Sequence, residues 1–145
     1  MPSVLILPSP LLPASAYRAL AAALTDRGSD VRVAPATLGP GEGAPDLVRR
    51  WSRLITGDTT LVAHSNAGYL APLVRSAGTS APIVFVDAAL PPASGSTSLA
   101  PPSLRSMLVD LADSDGLLPP WTRWWSRSTM DAVVPSEAFT ELDRD

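Results

Sequence analysis

Residues 60–69 read TLVAHSNAGY, and this stretch decides the fold. Leu61, Val62 and Ala63 form a continuous apolar run of the kind a strand buried on both faces requires. The run stops at His64-Ser65-Asn66. Ala67 and Gly68 follow, and Leu70, Leu73 and Val74 then continue at helical spacing through residue 77. The pattern predicts a strand, a sharp turn and a helix, the helix starting at Ser65 or Asn66. A serine at such a turn holds its hydroxyl clear of the backbone. It also lies beside the unpaired N–H groups and positive dipole end of a helix, which favour developing negative charge. Pro72 disturbs the bond to the Gly68 carbonyl, but the apolar face continues across it.

Working outward, Val4-Leu5-Ile6-Leu7 is a second buried run, ended by Pro8, and suits a central strand of a parallel sheet. A proline-stiffened loop, residues 8–13, leads to Ser15 as a helix cap. Ala16, Ala19, Leu20, Ala23 and Leu24 recur at helical spacing up to Gly28. Residues 30–34, DVRVA, alternate as an edge strand does. A Gly/Pro loop precedes a helix from Asp46 with Leu47, Val48, Trp51, Leu54 and Ile55 on one face. Beyond the elbow helix, residues 82–87, PIVFVD, read as a fourth strand with an acidic end. Alternating strands and helices imply right-handed crossovers and a three-layer α/β domain with a four-stranded parallel sheet in the order 2-1-3-4. Ligands bind such sheets outside the C-terminal strand ends, where the order reverses. Residues 8–13 and 64–66 flank that point.

After Asp87 the character changes. Residues 90–102 are rich in Pro, Ser and Ala and read as an exposed loop. Leu104, Met107, Leu108 and Leu111 form the stripe of an amphipathic helix over residues 103–112. Trp121, Trp124 and Trp125 then cluster within five positions, either as a packing patch or as a wall facing a substrate. A last helix is expected over residues 136–145. Asp113-Ser114-Asp115-Gly116 has the opening of a calcium loop, but no Glu stands at the required spacing, so it reads as a solvated helix end.

Composition narrows the chemistry. A chain of 145 residues is long enough for one domain with a real core. Its net charge of −3 argues against non-specific binding to nucleic acid. No run approaches the roughly 18 apolar residues of a membrane span. Without cysteine there are no disulfides, thiolate nucleophiles or Cys-based metal sites. A single histidine, His64, rules out a His-rich metal site within one chain. No G-x-G-x-x-G or G-x-x-x-x-G-K is present, so no cofactor is expected. Ala14-Ser15-Ala16 resembles a leader cleavage site. No positive charge precedes the apolar run, however, and prolines interrupt it, so a cytoplasmic location is expected.

The segment A-H-S-N-A-G, residues 63–68, resembles the nucleophile elbow of the α/β-hydrolase family, written G-x-S-x-G. Ala63 and Ala67 replace the two glycines, and Gly68 comes one step later. With the first strand and its loop, and the strand ending at Asp87, the resemblance makes residues 1–90 a hydrolase-like core. Residues 91–145 then correspond to a helical, Trp-rich cap or lid.

The resemblance implies roles. Ser65 would be the nucleophile and the Asn66 N–H one oxyanion donor. The second donor would come from the loop after the first strand, from Ser9, Leu11 or Leu12, because Pro8 and Pro10 have no N–H. His64 would pack beside the elbow, and Trp121, Trp124 and Trp125 would shape the acyl pocket. Asp87 stands where some members carry the triad acid; as a plain structural residue it would cap the next turn. The implied activity is hydrolysis of a small ester or thioester with an apolar part.

The family's general base is a C-terminal histidine, and no histidine follows His64. Three accounts stay open: a hydrolase truncated before its last strands, a natural short relative that binds without hydrolysing, and His64 itself as base. The competing function is therefore a non-catalytic binding or interaction module. The open fourth strand further predicts a homodimer or a C-terminal partner fragment.

Overall fold

The computed structural model describes residues 1–77, 80–98 and 100–133. The helix expected over residues 136–145 lies outside them. The chain divides into two compact units, Met1–Ala93 and Ser94–Asp145.

The first unit is the α/β domain. Strands β1 (Ser3–Leu7), β2 (Asp30–Val33), β3 (Thr59–Ser65) and β4 (Ile83–Ala88) form one parallel sheet in the order β2-β1-β3-β4, as the crossover argument requires. β1 is central, with Ser3 opposite both Asp30 and Thr59. Helices α1 (Arg18–Thr25), α2 (Ala44–Ser52) and α3 (Ala67–Ser76) connect the strands.

The pleat divides the core. Leu5, Leu7, Leu61 and Ala63 point to one face and pack with Leu47 and Trp51 of α2 and Ala67, Ala71 and Val74 of α3. Val4, Ile6 and Val62 point to the other face and pack with Tyr17 and with Ala21 and Leu24 of α1. Trp51 is fully buried, and its indole N–H donates to the Pro35 carbonyl at 2.7 Å, which satisfies the one polar atom that burial would otherwise strand.

Element ends differ from the sequence reading for definable reasons. A 3-10 turn at Ala14–Tyr17 precedes α1, so the helix begins at Arg18. β3 does not stop at Ala63; it runs through His64 and Ser65, which pair with Val86 and Ala88 of β4. α3 begins at Ala67, later than the serine, because Ser65 lies outside helical φ.

β4 is an edge, and its apolar residues are poorly covered. Val84, Phe85 and Val86 are 48%, 37% and 41% exposed. Val84 and Val86 sit opposite Val62 and His64 in register, on the face that α1 covers further along the sheet.

In the second unit, α4 (Pro102–Leu111) carries Leu104, Met107, Leu108 and Leu111 as its half-buried stripe, and α5 (Arg127–Val133) follows Ser126. Ser126 Oγ accepts the Thr129 N–H, an N-terminal cap that marks a helix the apolar pattern alone did not disclose. Between them, the Asp113 carboxylate accepts the N–H groups of Asp115 and Leu117, each at 2.9 Å, and Gly116 takes φ +78°. This is a self-satisfied turn at a helix end. Trp125 contacts Trp121 edge-on at 6.0 Å and Trp124 at 5.6 Å, and the Trp124 indole N–H donates to the Pro119 carbonyl.

Candidate functional site

β3 delivers Ser65 to the C-terminal edge of the sheet, and α3 leaves from there. Ser65 adopts φ +55°, in the left-handed region that a side-chain-bearing residue enters at a cost of roughly 1–2 kcal/mol. The strand must reverse into the helix within one residue, Asn66, which already has helical angles at φ −65°. Ladder pairing holds the strained residue: the Ser65 carbonyl accepts the Ala89 N–H at 3.0 Å. The first N–H groups of α3 lie next to this turn in sequence, and of these the Tyr69 N–H turns back to the Asn66 carbonyl at 3.2 Å.

Asp87 is the other non-glycine residue at positive φ among the described residues, at +43°. The register explains it. His64 pairs with Val86 and Ser65 with Ala88, so Asp87 is the extra residue of a bulge opposite the elbow. The hydroxyl and carboxylate residues singled out from sequence are thus the two strained ones, on adjacent strands at the same end of the sheet. The Asp87 side chain is exposed. Among the described residues, no hydrogen bond joins His64 to Asp87 or to Ser65.

Gly68 answers for the elbow's tight packing. A Cβ built there would fall 2.1 Å from the Ala89 carbonyl oxygen and 3.0 Å from its backbone nitrogen. Ala67, where the family pattern has glycine, is fully buried yet accepts its methyl group.

The loop after β1 is the other wall. Its N–H groups are committed internally. Ser9 N–H donates to the Tyr17 phenol oxygen at 2.7 Å, Leu11 N–H to Ser9 Oγ at 3.3 Å, and Leu12 N–H to the Ser9 carbonyl at 3.1 Å. His64 stands opposite. Its Nδ1 lies 2.9 Å from the same phenol oxygen, and the rings meet edge-on at 5.6 Å. Burial pushes the Tyr17 phenol above its ordinary pKa, partly offset by the Ser9 N–H, so it stays protonated at neutral pH.

Comparison with family models, with curated proteins and with solved structures gives no match for this chain.

The site therefore rests on its own geometry. Ser65, His64, Asn66 and Asp87 come together at the strand ends, with Leu11 on the neighbouring loop. Trp121, Trp124 and Trp125 belong to the second unit and pack on one another. Tyr17 is the residue that sequence reasoning missed. Its signal was one tyrosine among the alanines of a helix start, with nothing to show that the phenol turns toward the elbow. An open apolar groove of about 460 Å3 lies between α2 and α3, lined by Val48, Leu70 and Leu73 among others, and contains no elbow residue. Among the described residues no group of His, Asp and Glu is placed to hold a metal ion.

Proposed function

We propose that Ser65 is the nucleophile of a small-molecule serine hydrolase of the α/β-hydrolase type, acting on an ester or thioester with an apolar acyl part. Residues 1–90 supply the core of such a fold, and the Trp-rich segment after them corresponds to its cap. The observation that carries the reading is the strained Ser65, at φ +55° between a buried parallel strand and a helix N-terminus. Strain of this kind persists where the surroundings over-determine it and is concentrated at reactive centres. An acyl carbonyl attacked by Ser65 would develop its oxyanion beside the Asn66 N–H. Val84 and Val86, exposed and in register with Val62 and His64, offer apolar surface for the acyl part. The general base would come from outside these residues, because an unassisted serine is a weak nucleophile at neutral pH.

A fluorophosphonate probe tests this. Covalent labelling of Ser65 in the longest natural form of the protein, lost in Ser65→Ala, is the expected result. No labelling there would overturn the reading.

One observation favours a second reading, a non-catalytic binding module. The loop N–H groups of Ser9, Leu11 and Leu12 that could complete an oxyanion site are already hydrogen-bonded within unit one. On this reading Ser65→Ala leaves ligand or partner binding intact.

A further inference from the structure

We propose that Tyr17 is a positioning residue that fixes His64 in its neutral Nε2–H tautomer and ties the loop after β1 to the serine turn. Its bearing on chemistry rests on Ser65 being the reactive centre; the tautomer assignment does not.

Donors and acceptors around the phenol leave one consistent arrangement. The Tyr17 side chain is buried at 5% exposure and owns one hydrogen. Its oxygen already accepts the Ser9 N–H at 2.7 Å. The remaining contact is His64 Nδ1 at 2.9 Å. Were Nδ1 protonated, the phenol oxygen would receive two donors and its own buried hydrogen would lack an acceptor. With Nδ1 bare, Tyr17 donates to it, and the phenol and Nδ1 are both satisfied. The proton of neutral His64 then sits on Nε2. The raised pKa of the phenol keeps that hydrogen in place at neutral pH.

Two consequences follow. His64 has no free lone pair: Nδ1 holds the phenol hydrogen and Nε2 carries its own. It is therefore a hydrogen-bond donor at the elbow and not a base for Ser65, which removes the account in which the adjacent histidine activates the serine. The second consequence is mechanical. One phenol bridges Ser9, in the loop after β1, and His64, the residue before the turn, so the two loops that flank the reversal in strand order are held at fixed separation.

The chain has one histidine, so its ring nitrogens are observed without assignment ambiguity. The test is nitrogen–proton correlation NMR of the histidine-labelled protein at about pH 8, above the ordinary imidazole range. The wild type should show the Nε2–H tautomer alone, and Tyr17→Phe a mixture of both tautomers. An Nδ1–H or averaged signal in the wild type overturns the proposal. So does an unchanged spectrum in a folded Tyr17→Phe. If that variant does not fold, the wild-type spectrum decides. Fluorophosphonate labelling of Ser65 is followed in parallel and should slow by roughly ten- to a hundredfold in Tyr17→Phe. Unlabelled Ser65 in both proteins, with the Nε2–H tautomer intact, sinks the nucleophile reading and supports the Tyr17 assignment.

Discussion

Gly68 lies against Ala89 so closely that a methyl group on it would sit 2.1 Å from the Ala89 carbonyl oxygen. The contact is backbone against backbone, so no side-chain rotation relieves it. Gly68→Ala is expected to lower unfolding free energy by at least about 1–3 kcal/mol, despite the better helix propensity of alanine. A lower urea midpoint with unchanged slope is the measurement. Equal stability would mean that α3 and the end of β4 can separate freely.

Ser65→Gly and Ser65→Ala should differ in stability although both remove the hydroxyl. At φ +55° glycine is unstrained and alanine keeps the strain of serine. Glycine should be the more stable variant by about 1 kcal/mol, read from paired denaturation curves. Alanine ahead of glycine would show that the turn is not held in the left-handed region in solution.

Glu42 gives an acid-side prediction. The Gly39 N–H, first, and Arg50, second, hold its carboxyl below the usual carboxylate range. A carboxylate with a depressed folded pKa adds stability that is present above the unfolded value. That increment disappears as pH falls through the folded value. Stability of the wild type should therefore fall more steeply than that of Glu42→Gln below about pH 4.5. The carboxylate lies at the surface, so the difference is small. Parallel curves for the two proteins from pH 6 down to pH 3 would refute it.

Val84 lies on the edge strand with half its surface in water. Replacing it by lysine should leave stability within about 0.5 kcal/mol and reduce concentration-dependent light scattering. Unaltered scattering would show that this edge takes no part in self-association.

Strand order and the elbow were legible in the sequence because both depend on short-range signals: buried apolar runs, Gly/Pro punctuation and small residues around Ser65. The end of β3 was not. His64 and Ser65 are polar and ended the apolar run, yet their backbones continue the ladder because β4 extends alongside them. Pairing is a property of two strands, and the pattern of one does not report it. Asp87 was visible as an acidic strand end. Its bulge was not, because the extra residue is defined only by the register against Ser65. Tyr17 was hidden for the same reason: its partners Ser9 and His64 are brought to it by the β1–β3 pairing.

The central place of β1 bears on how the chain is made. Val4, Leu5, Ile6 and Leu7 leave the ribosome before both of their partner strands, and one of these is not complete until Ser65 has emerged. During that interval four apolar residues with strand-forming backbones have water where β3 should be. Exposed unpaired strands of this kind are the ones that nascent-chain chaperones shield. A strand buried along residues 4–7 in the folded domain is thus one that waits unpaired during synthesis.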